Sequence, residues 1–312
     1  MTRRQLVVGA GPIGRHVATL LAARGDQVIV ASRSGHHTSI RGVEHRGLDA
    51  SDADALTRAA DGAATIFNTA NPGAYPTWEA RWPPLAAALL IAAERTGAGY
   101  AMTGNLYPYG PVDGPIHEGL PEVARDHLGR LRSRIWADAR AAHEAGRVRA
   151  FEVRGSDFVG SGQGTGGGEG HVSRVLPAAL RGRTVRMLGR TDQPHTFTDV
   201  LDMARTLIAA ADDPGAYGRV WHAPSNPPRT QAQIMAELMD AAGRPRVTVK
   251  TLHPTVVRAL GAVSPVLREV AGIDYIMTRP YVLDASAAKA RFSLHPTDWD
   301  DVLRRTLKAA GA

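Results

Sequence analysis

Short apolar runs alternate with longer Ala- and Leu-rich stretches through the first hundred residues. Runs at 5–8, 27–31, 43–46, 65–68 and 99–102 have the length and composition of strands. The windows 13–24, 51–60 and 85–96 carry helical periodicity, the last with Pro83 and Pro84 at its opening. Strand, helix, strand repeated in this way predicts a parallel sheet covered by helices on both faces. Right-handed crossovers then make it doubly wound.

A further helical window at 121–145 leads into a strand at 149–154. Residues 160–170, GSGQGTGGGEG, suit no regular element, because glycine loses the most backbone entropy on ordering. They are expected to form a mobile loop near a domain seam, where loops gate pockets. Helices are expected at 171–181, 200–212 and 231–242, mixed with short strands and proline-marked turns. The resulting division is a dinucleotide-binding portion, 1–159, to which 196–224 and 276–312 return, and a smaller substrate-binding portion from 160–195 and 225–275.

Composition narrows the chemistry. The 312 residues contain no cysteine, which excludes a disulfide framework, a thiolate nucleophile and a Cys-based zinc site. No His/Asp/Glu set has metal-ligand spacing and no GxSxG elbow occurs, so no metal is expected. The net charge of +7 rests on 37 basic residues of which only Lys250, Lys289 and Lys308 are lysines. The arginines are scattered and interleaved with acids, so a nucleic-acid partner is not expected. Near the start, Arg15 and His16 break an apolar run that otherwise resembles a signal peptide, and the apolar stretch 85–93 is about half of the ~20 residues that span a bilayer. A cytoplasmic protein without a membrane partner is the expectation.

Gly9-Ala10-Gly11-Pro12-Ile13-Gly14 fits GxGxxG between the first strand and the first helix, with a second strand on schedule. In such a turn Gly9 makes the tight bend, Gly11 lets a pyrophosphate approach the backbone and Gly14 packs helix on strand, while the helix N-terminus faces the phosphates. The second strand ends in Ser32, Arg33 and Ser34. A carboxylate there would bind a ribose 2′-hydroxyl; a guanidinium flanked by hydroxyls suits a 2′-phosphate, so NADP is expected ahead of NAD.

Several further segments carry a family likeness: GLDASD at 47–52, NTANP at 68–72, MTGNLYPYGP at 102–111, VRGSDFVGSG at 153–162, HTFTDVLDMA at 195–204, VWHAPSN at 220–226 and LDASAAKARFSLHPT at 283–297. With the glycine turn, their order and spacing resemble the extended short-chain dehydrogenase/reductases, also called NAD-dependent epimerase/dehydratases, and more closely their atypical members. The resemblance implies a Rossmann-like fold with a smaller C-terminal substrate-binding portion. It places Asp49 near the adenine, and Ala70, Asn71 and Pro72 along the ribose or pyrophosphate. Thr103 matches the catalytic Ser/Thr that holds a substrate oxygen. Tyr107 and Tyr109 follow it as candidate proton donors, with Asn105 and His195 as substrate-side candidates. A homodimer is also common among relatives.

One part of the pattern is missing. Relatives that move a hydride use a YxxxK pair on the helix after this loop, the lysine lowering the tyrosine pKa from about 10 and binding the nicotinamide ribose. No tyrosine here is followed four residues on by lysine, and 126–143 contains neither residue type. Two readings stay open. Either an oxidoreductase acting on a small carbonyl- or hydroxyl-bearing metabolite works with substitutes, Tyr107 or Tyr109 as donor and Arg130, Arg132 or Arg134 as cation. Or the protein binds a dinucleotide without redox chemistry, as a regulator or a non-redox isomerase or cyclase.

Overall fold

The structure, a computed structural model, describes residues 2–35, 40–160 and 170–312. The chain runs β1 (Arg4–Val8), α1 (Pro12–Ala23), β2 (Gln27–Ser32), β3 (Val43–Gly47), α2 (Ala53–Ala59), β4 (Ala63–Asn68), α3 (Trp78–Thr96), β5 (Gly99–Asn105), α4 (His127–Glu144) and β6 (Arg149–Gly155). It continues through β7 (Asp157–Val159), α5 (His171–Ala179), β8 (Val185–Leu188), β9 (Phe197–Asp199), α6 (Val200–Asp212), β10 (Val220–His222), α7 (Gln231–Ala241) and β11 (Val249–Leu252). Five helices close it: α8 (Pro254–Gly261), α9 (Pro265–Gly272), α10 (Tyr275–Thr278), α11 (Ser286–Phe292) and α12 (Trp299–Ala309).

Seven strands form one parallel sheet in the order β10-β6-β5-β4-β1-β2-β3. Its inner strands β1, β2 and β4 are largely apolar on both faces because both faces are covered, whereas the edge strand β3 is polar and partly exposed. Leu6, Val8, Ile66 and Tyr100 pack with Leu89 of α3 and Ile135 of α4, while their neighbours Val7, Phe67 and Ala101 pack with Val17 of α1 and Leu207 of α6. Strand order reverses between β1 and β4, which places a crevice at their carboxyl ends.

A third apolar cluster lies apart from the sheet, joining Val172 and Leu176 of α5, Met187 of β8, Leu238 of α7 and Leu303 of α12. Of two small parallel pairs, β7 with β9 follows directly on β6 and leads into α6, carrying Val159 and Phe197 into this cluster, and β8 with β11 belongs to the cluster itself through Val185 and Met187. The C-terminal segment therefore divides: Ala288 of α11 packs on the sheet's α1/α6 face, whereas α12 packs with the third cluster instead of returning to the sheet.

Three boundaries differ from the sequence pattern for local reasons. Helix α3 starts at Trp78, so Pro83 and Pro84 sit inside it. Trp78 and Trp82, a turn apart and both buried with their rings edge to face, supply the packing that offsets the lost helical hydrogen bonds. Helix α4 starts at His127 because the Asp126 carboxylate caps it, accepting from the Gly129 amide at 2.7 Å. Helices α8 and α9 arise where proline-marked turns were expected. Pro254 and Pro265 occupy their first positions behind capping His253 and Ser264, a place where proline is favourable.

Candidate functional site

The glycine turn lies at the carboxyl end of β1, beside β4. Gly9 has φ +111°, and a Cβ there would stand 2.7 Å from the Ala70 nitrogen; one on Gly14 would stand 2.0 Å from the Gly9 carbonyl oxygen. Around Gly11 a Cβ would meet nothing within 4 Å. Packing thus requires glycine at positions 9 and 14, whereas Gly11 leaves open space at the N-terminus of α1, where Pro12 and Ile13 form the first turn. The Thr69 hydroxyl ties β4 to this turn, 3.0 Å from the Gly9 carbonyl and 3.1 Å from that of Val8. Backbone free of side chains in front of unpaired helix amides is what a pyrophosphate requires, so these residues fit a dinucleotide.

Around this turn, Ala70 is half-buried against Gly9. The exposed Asn71 closes an Asx turn, its Oδ1 accepting from the Gly73 amide at 3.0 Å, and the Pro72 carbonyl accepts from Arg81 at 3.2 Å. At the end of β2, Ser32 is half-buried and Arg33 and Ser34 are exposed. Asp49, at the neighbouring end of β3, accepts from the Ser51 amide at 2.9 Å and hydroxyl at 2.8 Å. These bonds, with a smaller contribution from the Arg33 charge, hold its carboxyl below the usual range.

Thr103 is near the end of β5, and its hydroxyl is buried without a hydrogen-bond partner among the described residues. Its carbonyl accepts from Arg132 Nη2 at 2.7 Å. Of the three candidate arginines on α4 this is the one that reaches the strand end. Arg130 is exposed, and Arg134 turns outward to Glu79 at 2.7 Å. Arg132 is buried over the Trp82 ring at 4.4 Å and pairs with Glu152 at 3.1 Å. Glu152 also holds Arg154 at 2.7 Å, and Arg154 in turn holds Glu122. If Arg132 is counted as the cation of a YxxxK spacing, the tyrosine position falls on Leu128, which is fully buried.

The two candidate tyrosines diverge. Tyr109 is buried in the core under the Arg154 guanidinium, and its hydroxyl lies 2.9 Å from His222 Nε2. The Tyr107 hydroxyl instead lies 2.7 Å from that of Tyr75, and the Asn105 Oδ1 accepts from the Tyr107 amide at 3.2 Å. Burial pushes the Tyr107 phenol well above 10 and the Tyr109 phenol up to about 12. Both therefore keep their protons at neutral pH, in contrast to a tyrosine activated by lysine.

His195 is buried, with Nδ1 3.1 Å from the Ile276 carbonyl and Nε2 2.9 Å from Asp157 Oδ2. The second approach is a close polar contact without the alignment of a hydrogen bond. Its ring stacks on Tyr281 with centroids 5.4 Å apart. Burial would raise Asp157, but His171, His195 and Arg174 outweigh it and hold the carboxyl low; burial lowers His171. Thr69, Tyr75, Asp157, His171 and Tyr281 join this region only through the fold. Thr69 and Asp157 lie inside segments that carried the family likeness, whereas Tyr75, His171 and Tyr281 had no local signal. Residues 161–169, the core of the expected lid, lie outside the described residues.

The sequence model of the NAD dependent epimerase/dehydratase family matches residues 5–222. No curated protein sequence matches the chain. Among solved structures, a UDP-glucose 4-epimerase from Thermotoga maritima is similar at 19% identity and a TM-score of 0.80, covering 98% of each chain. A UDP-glucuronic acid 4-epimerase from Bacillus cereus, in complex with NAD, is similar at 16% identity and a TM-score of 0.78, covering 99% of this chain and 98% of that one. A dTDP-glucose 4,6-dehydratase from Streptomyces venezuelae, with NAD bound, is similar at 20% identity and a TM-score of 0.77, over 98% and 96%. These likenesses show a shared fold. Among the described residues no helix is long and apolar enough to cross a membrane.

Proposed function

The chain belongs to the NAD-dependent epimerase/dehydratase family, an enzyme family of the short-chain dehydrogenase/reductase type, and we propose that it is an NADP-binding oxidoreductase acting on a small carbonyl- or hydroxyl-bearing metabolite. The observation that carries this reading is the open backbone at Gly11 two strands away from the buried, unpaired hydroxyl of Thr103. A nicotinamide dinucleotide supplies or accepts a hydride when bound. Thr103 holds the substrate oxygen by donating its hydroxyl hydrogen. Tyr107, kept protonated by burial, donates at the same oxygen, with the Tyr75 hydroxyl behind it. Arg132 does not replace the absent lysine at a ribose, because its guanidinium is committed to the Thr103 carbonyl and to Glu152. It fixes the strand end that carries Thr103.

The preference for NADP rests on Ser32, Arg33 and Ser34 and on the lack of any carboxylate at the end of β2. Two of the similar structures hold NAD, so NAD is the competing outcome. Titrating NADPH and NADH into wild type and Arg33→Ala decides between them: the substitution should weaken NADPH at least tenfold more than NADH, and equal loss overturns the preference. Turnover is tested by NADPH absorbance against a panel of carbonyl compounds, with Thr103→Ala and Tyr107→Phe as controls. The missing Tyr-Lys pair favours one second reading, a dinucleotide-binding regulator or non-redox isomerase or cyclase. Tight NADPH binding without oxidation by any carbonyl compound would support that reading instead.

A further inference from the structure

We infer that this protein carries a second ligand site, separate from the glycine turn and from Thr103, which takes a small molecule bearing two or more phosphate groups. The inference goes beyond the oxidoreductase reading and does not rest on it. A cavity of about 430 Å³ opens at the amino end of β8 and β11, within the range of about 300–1,000 Å³ typical of small-molecule sites. Leu180 and Met239 form its apolar floor, and Arg181, Thr184, Arg244, Arg246 and Thr248 surround them. Leu188, at the other end of β8, shares a cleft with Tyr75 and His171; the length of the strand, roughly 13 Å, separates it from Thr184.

The fold gathers cations that the sequence spaces apart. Residues 170–191 and 241–268 contain no Asp or Glu, and the parallel pairing of β8 with β11 brings these segments side by side, with exposed Arg186 opposite exposed Lys250. Among the described residues Arg181, Arg183, Arg186, Arg244 and Lys250 form no ion pair. Asp240, in the last turn of α7, holds Arg246 at 2.6 Å. Arg244 is fixed differently: its Nη1 donates to the Leu180 carbonyl at 3.0 Å, which joins the end of α7 to the end of α5. Its remaining N–H groups make no bond among the described residues.

The charge balance selects an anion. Asp240 neutralises one of the three guanidinium groups at the cavity, and the carboxyl ends of α5 and α7, roughly half a negative charge each, offset a second. About one positive charge therefore remains in the cavity, with Arg183, Arg186 and Lys250 on the adjoining surface. Arginine presents paired N–H groups that match phosphate oxygens, and the Thr184 and Thr248 hydroxyls add further donors. Arg181 and Arg244, both free of carboxylates among the described residues, suit the separate phosphates of a diphosphate. A polymer laid across Arg186 and Lys250 would gain nothing from the cavity, so a small ligand is the one its walls favour.

The test is binding, separated from turnover. Full-length protein, with saturating NADP added to fill the glycine turn, is titrated calorimetrically with inorganic pyrophosphate at about 150 mM salt, where exposed charges are largely screened. Saturable binding of one pyrophosphate per chain is expected, with inorganic sulfate about tenfold weaker or more. Arg181→Gln removes a side chain that forms no ion pair among the described residues, and should weaken pyrophosphate about fivefold or more with melting temperature and NADPH affinity unchanged. Arg244→Gln should weaken it about tenfold or more; because this variant also loses the bond to Leu180, near-ultraviolet circular dichroism reports its folding. Arg58→Gln, at an exposed arginine on α2, is the control for net charge and should leave binding within about twofold. No binding once NADP is saturating, binding untouched by Arg181→Gln and Arg244→Gln, or an equal loss in Arg58→Gln overturns the inference. Tight binding of a short oligothymidylate, abolished by Arg186→Gln with Lys250→Gln and unaccompanied by pyrophosphate binding, would also overturn it and assign the surface to a polymer.

Discussion

The guanidinium of Arg132 donates to the Thr103 carbonyl at 2.7 Å while pairing with Glu152 at 3.1 Å. One cation thus joins α4, the end of β5 and β6. Because Arg132 is buried, removing it leaves Glu152 short of one partner in a low-dielectric setting, and breaking such a pair costs about 3–5 kcal/mol. Arg154 still holds the other carboxylate oxygen at 2.7 Å, so the lower end applies. Arg132→Ala should lose about 3 kcal/mol in urea unfolding. Arg132→Lys, a point charge unable to serve both acceptors while stacked on Trp82, should lose less but still lower turnover. A loss under about 1 kcal/mol for Arg132→Ala would show that the network does not brace this strand end.

The glycine turn separates stability from binding. Gly14→Ala would drive a Cβ to 2.0 Å from the Gly9 carbonyl, so the melting temperature should fall by several degrees. Gly11→Ala meets no protein atom within 4 Å and should fold as wild type, yet its methyl group stands where a pyrophosphate would approach. Dinucleotide affinity should drop at least tenfold with an unchanged melting temperature. Unchanged affinity in Gly11→Ala would remove the cradle from the binding site.

What the chain discloses by itself follows the range of the interactions. The sheet is legible because buried parallel strands and their crossover helices leave local apolar runs, and the glycine turn because three positions each need a missing side chain. The role of Arg132 is not legible from the spacing of α4, since Arg130, Arg132 and Arg134 look alike until the helix is docked. Tyr107 and Tyr109, two residues apart, differ for the same reason: a short 3₁₀ turn sends one hydroxyl to Tyr75 and the other to His222. Helices α8 and α9 were hidden by the prolines that start them.

That divergence makes the two tyrosines distinguishable by substitution. Tyr109→Phe leaves His222 Nε2 without its donor in the core and should destabilise by about 1–3 kcal/mol with cofactor affinity and turnover unchanged. Tyr107→Phe removes a bond between two partly buried hydroxyls and should cost less stability while lowering turnover at least tenfold. Parallel denaturation and steady-state assays check both. An equal loss of turnover in the two variants would return Tyr109 to the site.

His222 gives the fold a calculable pH dependence. It is fully buried, with Nδ1 2.9 Å from the Asp284 carbonyl and Nε2 2.9 Å from the Tyr109 hydroxyl. The neutral ring, protonated on Nδ1, donates to the first and accepts from the second; a doubly protonated ring would bury a positive charge, beside the Arg154 guanidinium, and reverse the Tyr109 bond so that the phenol must give up its role as donor. Burial lowers its pKa from 6.5 to about 3. The unfolded chain therefore binds the extra proton throughout the window between those values, and stability falls as pH falls from 6.5 toward 3. Between pH 7 and pH 5 the loss from this residue is about 2 kcal/mol, following the 1.36 kcal/mol per unit of full proton linkage. Glu118, which accepts from the His222 amide and is raised by burial, titrates in both proteins, so the difference between wild type and His222→Gln isolates the histidine. Gln can satisfy the same donor and acceptor without titrating. Urea unfolding at pH 7 and pH 5 should show a loss smaller by about 2 kcal/mol in His222→Gln; equal losses would mean that His222 is protonated in the folded protein.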